Sequence, residues 1–230
     1  MGVGATSLIV AIASRTSIGE TLAADSRSAP PPTAVARNYG SQLVDMCFLA
    51  PALTVSLIIG GLIALFAAAP AILIDGFGLG PLGLSVFFAA TVIVVFSGGL
   101  LAPWFARTIG QARATLMGAA LAFIGSALVL SSASYGLSLD WYTVSLTVFL
   151  FGMGLTNPLG TALALQPFGN QAGLASALLG FLQMAFAALA TTAGTLLPWP
   201  ASTAIGIVLV VYAGIAVVVF RLRPADVGNA

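Results

Sequence analysis

The chain has 230 residues, 60% of them hydrophobic and 6% charged, with a net charge of +1 and a mean hydropathy of +1.11. A water-facing domain carries about 25% charged residues, so there is too little charge here to cover a water-exposed surface, and lipid must cover much of it. There is no His, no Lys and one Cys, Cys47, which excludes Ser–His and Cys–His nucleophile pairs, most metal sites, an intrachain disulfide and a basic patch for nucleic acid.

Met1 to Ser14 is uncharged and moderately apolar, and Arg15 and Glu20 follow. A signal peptide is one reading; the end of a longer spanning helix is the other. The lack of a basic n-region favours the second, so residues 1–22 are read as the remnant of a preceding transmembrane helix. Residues 23–46 form a linker, with SAPPPTAVA at 28–36 too rich in proline to pack as a helix in its first half.

A spanning helix needs about 20 mainly apolar residues. Six runs qualify: Phe48–Ile74, Leu82–Phe105, Ala114–Ser132, Tyr142–Ala164, Ala172–Leu197 and Ala201–Phe220. They are continuous rather than alternating, so membrane helices are expected and not barrel strands. The fold class is therefore all-α, with six transmembrane helices in one bundle over 47–223 and a cytoplasmic tail at 224–230.

All seven basic residues are arginines: Arg15, Arg27, Arg37, Arg107, Arg113, Arg221 and Arg223. Threading six spans puts every one of them on the same side, with Asp75 and Asp140 on the other. By the positive-inside rule the arginine side is cytoplasmic. Removing one helix would split the arginines between both faces, so the bias supports the count.

From Trp141 to Phe220 no charged side chain occurs, yet Asn157-Pro158 and QPFGNQ at 166–171 interrupt the apolar text. Pro158 lacks an amide proton and frees a carbonyl one turn earlier, so a kink is expected there. It either packs on a neighbouring helix or lines a water-filled cavity. QPFGNQ reads as a short turn between spans. Beyond it, Gly173 and Ala177, and Ser176 and Gly180, are four residues apart and share helix faces that allow close helix packing. Gln183 lies in mid-span, where an amide facing lipid is costly; an interhelical hydrogen bond and a substrate contact are both open. Thr54, Thr156, Asn157 and Gln183 are the deep polar candidates. Met153, Met184, Phe66 and Phe181 could supply a soft apolar wall for varied small molecules, or simply pack.

Three stretches carry a family resemblance. ETLA at 20–23 is similar to the end of the sixth helix of major facilitator superfamily transporters. NYGSQLVDMCFL at 38–49 is similar to the entry to their seventh helix, through Asn38, Tyr39, Leu43, Asp45, Phe48 and Leu49. AGLASALLGFLQ at 172–183, preceded by Asn157, Pro158, Ala162 and Ala164, resembles their linked tenth and eleventh helices. The likeness is to the bicyclomycin/chloramphenicol-resistance drug-efflux branch (Bcr/CflA-like), over roughly residues 17–220. The inner loop PWFARTIGQARATL at 103–116 departs from the family's Gly-x-x-x-Asp-Arg-x-Gly motif: Gly110 and Arg113 fit, but Arg107 takes the Asp position.

The resemblance implies the C-terminal half of a proton-coupled drug antiporter that works by alternating access, with no cofactor. It implies the inner membrane of a bacterium, a small apolar drug and protons as partners of the intact transporter, and either a missing N-terminal half or a second copy of this chain. Enzyme chemistry is not expected. No Gly-Lys-Ser/Thr phosphate loop is present for an ATP-driven pump, and no pair of mid-membrane Asp residues for a protease. A non-transporting or degenerate membrane protein is the competing reading.

Overall fold

The computed structural model describes residues 45–134 and 138–223. The expected helix remnant at 1–22, the linker as far as residue 44, the tail from residue 224, and Arg15, Arg27 and Arg37 lie outside the described residues. The rest is helix. Helix α1 spans Met46–Pro70 and continues as a π-helical turn, Ala71–Gly76. Then come α2 at Pro81–Ile109, α3 at Gln111–Ser134 and α4 at Leu139–Leu165. A 3-10 turn, Gln166–Gln171, leads into α5 at Ala172–Leu196, and α6 closes the order at Ala201–Arg221. All six are long and apolar enough to cross a membrane. The chain is an integral membrane protein of the all-α class.

The observed helices overrun the expected spans where polar residues suggested borders. Helix α2 runs four residues past Phe105 and carries Arg107 in its last turn. Helix α4 begins before Tyr142 and carries Asp140 in its first turn. Both charges suit the helix ends they occupy, cation at the carbonyl end and anion at the amide end, so they prolong the helices instead of ending them. Asp45 starts α1 by accepting a 2.8 Å hydrogen bond from the Cys47 amide, the side-chain cap that an apolar helix start otherwise lacks. Asn157-Pro158 does not break α4, which runs through it. The chain turns only at QPFGNQ.

Two layers result. Helices α5, α1, α4 and α2 stand side by side in a front row, and α6 and α3 pack behind it. Helix α1 is the hub, touching α4, α5 and α6. Its interior residues Leu57, Ile58 and Leu65 join Phe149 and Leu150 of α4 and Leu209 of α6 in the main core. Lipid is as apolar as leucine, so close fit and interhelical hydrogen bonds hold membrane helices together. The closest seam joins α3 to α4: a Cβ at Gly152 would lie 2.5 Å from the Ala122 amide nitrogen and 2.6 Å from the Gly118 carbonyl oxygen. Thr54 on α1 donates to Ala50 in its own helix at 2.8 Å and lies 3.2 Å from the Ala216 carbonyl of α6. Tyr212 on α6 donates to the Phe186 carbonyl of α5 at 3.2 Å, and Gln111 on α3 to the Leu159 carbonyl of α4 at 3.1 Å.

One core hydroxyl is unsatisfied. Ser56 is fully buried in α1 and its oxygen has no partner. Ser56→Ala is expected to preserve the fold and raise stability by about 1 kcal/mol, because it removes a desolvated polar atom without opening a large void. Thermal unfolding of the detergent-purified protein checks this; a clear loss of stability would mean the hydroxyl is bonded.

Candidate functional site

The front row leaves two helices half covered. Helix α2 buries only Thr91, Gly98 and Ala102, and its outward side displays Leu82, Ile93, Phe96 and Leu100, the last of these 78% exposed. Helix α5 buries Ala175, Leu178, Leu179, Ala187 and Ala190 against the bundle and turns Phe181 and Met184 outward, 67% and 58% exposed. Between them, α1 and α4 fill the middle of the row.

The residues singled out from the sequence divide between this open face and the interior. Phe181 and Met184 lie on the open side of α5. Phe66 sits on α1 at its edge, packed edge-on against Phe88 of α2 with ring centres 5.5 Å apart. Pro158 is exposed on α4 and Asn157 beside it is half-buried; Gln183 is half-buried on the flank of α5. At 1.5 Å per residue, Gln183 lies about 17 Å along α5 from its start, near mid-span, and Asn157 about 12 Å from the end of α4. Neither amide finds a hydrogen-bond partner among the described residues. The interhelical hydrogen bond open to Gln183 is instead supplied elsewhere by Gln111 and Tyr212.

Met153 and Thr156 are inside the bundle, not on the open face. Met153 is 5% exposed within the main core. Thr156 is fully buried, and its hydroxyl donates to the Gly152 carbonyl at 2.8 Å. Both sit on the side of α4 that packs on α3, where Gly118 approaches so closely that a Cβ would lie 2.5 Å from the Thr156 hydroxyl oxygen. The carbonyl that Pro158 frees belongs to Gly154, and α2 crosses α4 at that residue: a Cβ at Gly98 would lie 3.1 Å from the Gly154 carbonyl carbon. The four small residues of α5 also depart from expectation. Gly173, Ser176 and Ala177 are exposed, and neither Gly173 nor Gly180 has any atom within 4 Å of where a Cβ would stand. Among the described residues no other helix closes over the two glycines.

At the arginine end, Gly110 alone joins α2 to α3. Its φ of +87° with ψ of 147° lies where side chains are strongly disfavoured, while its amide still closes α2 onto the Ala106 carbonyl at 3.1 Å. Arg107 and Arg113 flank it, both exposed. Arg221 and Arg223 lie at the same end because α6 finishes there. Asp75 and Asp140 lie at the opposite end, so the described charges sort as the threading expects. Gly110→Ala has open space for its methyl, and the expected cost of about 1–3 kcal/mol is backbone strain alone. A thermal-shift assay reads it; an unchanged melting temperature would mean the joint relaxes to another conformation.

Among the described residues no three His, Cys, Asp or Glu side chains come together to hold a metal. The arrangement offers a greasy surface with sparse amide groups, suited to binding and packing.

No protein-family model matches the chain. It is similar to an uncharacterized MFS-type transporter of Bacillus subtilis, YdgK, at 28% identity over 148 residues; the match covers 64% of this chain and 37% of that protein. It is also similar to multidrug resistance protein D of Escherichia coli, at 29% identity over 159 residues, covering 66% of this chain and 39% of that protein. The chain thus spans well under half the length of the curated relatives it matches. These relatives are transport proteins and not enzymes.

Proposed function

We propose that the chain forms one helical bundle of a two-bundle efflux transporter, in which α2 and α5 pack on the second bundle and the row α5–α1–α4–α2 supplies one wall of the substrate pathway. The observation that carries this reading is the pair of half-covered helices α2 and α5, the least buried of the six spans. A transporter that alternates access by rocking two bundles needs such a face, and relatives much longer than this chain leave room for its partner. The transported molecules are small, fairly apolar compounds, the driving force is the proton gradient, and the Bcr/CflA-like branch is the fitting one. The arginine end faces the cytoplasm of a bacterium across its inner membrane. Gln183, Asn157, Phe66, Phe181 and Met184 are the wall residues that meet substrate.

The second bundle is either an N-terminal half or another copy of this chain. The clustering of the described arginines at one end favours two copies in the same orientation over opposed ones, so a parallel homodimer is compatible.

Accumulation of ethidium in an efflux-deficient bacterial strain tests the function. Expression of the gene at its native length should lower steady-state dye, and a protonophore should restore it. Unchanged accumulation across ethidium, chloramphenicol and other apolar compounds would overturn the efflux reading. Gln183→Leu is expected to weaken export about tenfold with normal membrane levels, through loss of the amide that a substrate would meet; undiminished export would remove Gln183 from the wall.

A further inference from the structure

A cavity lies at the end opposite the arginines, between the ends of α1, α3, α4 and α6, with a volume of about 540 Å³. None of the wall candidates on the open face lines it. We infer that this cavity binds small organic cations, with Asp75 as the anionic contact and Phe77 as the aromatic one.

The chain makes the site by an irregularity. After Pro70, α1 widens into the π-helical turn Ala71–Gly76. Such turns are rare, and they re-aim side chains and recur at functional sites. Here the turn carries Asp75 onto the cavity. The floor is buried: Tyr142 is 2% exposed and Ile72 is 3%. The Phe77 ring packs on the Tyr142 ring, 5.4 Å away and tilted at 45°, so the buried tyrosine backs the half-buried phenylalanine of the lining. Ser132 and Ser202 add hydroxyls to the lining. The Ser132 hydroxyl donates to the Val129 carbonyl at 2.7 Å, which leaves its lone pairs free to accept.

The charge is one-sided. Asp75 has no Arg at its end of the bundle among the described residues, since Arg107, Arg113, Arg221 and Arg223 all lie at the other. Two helix amide ends, of α4 and α6, and two carbonyl ends, of α1 and α3, meet around the cavity. Their end charges offset one another, so the carboxylate sets the sign. A carboxylate beside an aromatic ring and a few acceptor oxygens is the chemistry that holds an alkylated ammonium ion, and the volume suits a molecule of drug size. An anion would meet Asp75 and be repelled.

Binding to the detergent-purified full chain decides the matter without reference to transport, so its failure leaves the efflux reading untouched and the reverse also holds. The probe is radiolabelled benzyltrimethylammonium, with its uncharged carbon isostere neopentylbenzene as competitor. The cation is expected to bind saturably and the isostere to compete at least about tenfold less well. Asp75→Asn should weaken cation binding by a similar factor, and Ser202→Phe should block it by filling the space without touching charge. Asp75 is exposed, so its replacement leaves the core intact, and helicity and elution volume verify that. Asp140→Asn, at the same end but off the cavity, should change nothing. Equal affinity for cation and isostere, or full binding by Asp75→Asn, would overturn the assignment.

Discussion

Gly125→Leu and Gly152→Leu are each expected to eliminate the folded bundle, leaving protein that aggregates on solubilisation. Gly125 of α3 and Gly152 of α4 face each other's helices with no room for a side chain. A Cβ at Gly125 would collide with the Phe149 backbone, with Phe149 Cα only 2.6 Å away. A Cβ at Gly152 would meet Ala122 and Gly118 backbone atoms. The obstacle is main chain in both cases, so no rotamer change relieves it and the helices must move apart. Separation would strip contacts from Phe149, which is buried and lies against Gly125, and membrane helices have no solvent-driven force to compensate. Even Gly125→Ala should cost about 1–3 kcal/mol by overpacking. Gly173→Ala is the matched control, because nothing stands within 4 Å of its Cβ position; it should be neutral or stabilise by about 0.5–1 kcal/mol through helix propensity. Unfolding by denaturant in detergent ranks the three, and equal stability of Gly125→Ala and wild type would contradict the packing described.

Ala177→Trp is expected to leave the isolated bundle as stable as wild type and to abolish export, with a loss of about 100-fold or more if the bundles cannot close. Ala177 is exposed on α5 and borders Gly173, Gly180 and Phe181. Within this chain the added indole meets open space. Against a second bundle it meets a helix, because a stripe of small residues permits backbone approach and a tryptophan forbids it. The two readouts must therefore separate: melting temperature unchanged, dye export lost. Loss of both would mean that α5 packs within the bundle in a way the structure does not show. Retention of export would mean this face never meets a partner.

The contrast between these two small-residue faces shows what a sequence can and cannot disclose. Gly118, Ala122 and Gly125 on α3 have the same i, i+4 and i, i+7 relation as Gly173, Ala177 and Gly180 on α5. Periodicity tells which residues share a face, but not which face has a neighbour in the same chain. The α5 stripe drew attention because it lies in the stretch with the family resemblance; the α3 stripe is the one that packs internally. The six spans were legible because burial in lipid demands continuous apolar length. The π-helical turn at Ala71–Gly76 was not, since Pro70 signals a local disturbance but not its form. Met153 and Thr156 read as wall residues because one is soft and the other polar. Their rotation about α4 depends on the Gly118 and Gly152 contacts, which no single segment specifies. Gln111 and Tyr212 were passed over because each lies near polar or small residues that call for no partner, whereas Gln183 stands in apolar text. The Asp75 cavity joins four helix ends far apart in sequence, and only the fold assembles it.

The central claim is that the α2 and α5 faces are covered by protein and not by lipid. Nitroxide labels placed one at a time in a Cys47→Ser background, in native membranes, measure this through collision with oxygen, which concentrates in lipid. Labels at 96 on α2 and 181 on α5, which replace phenylalanines of similar bulk, are compared with labels at 124 on α3 and 215 on α6, whose side chains, Ile124 and Ile215, are exposed on the rear layer. Low oxygen accessibility at 96 and 181, with high accessibility at 124 and 215, is the result expected of a bundle docked on a partner. Equal, high accessibility at all four positions would mean that lipid surrounds the bundle and would contradict the account.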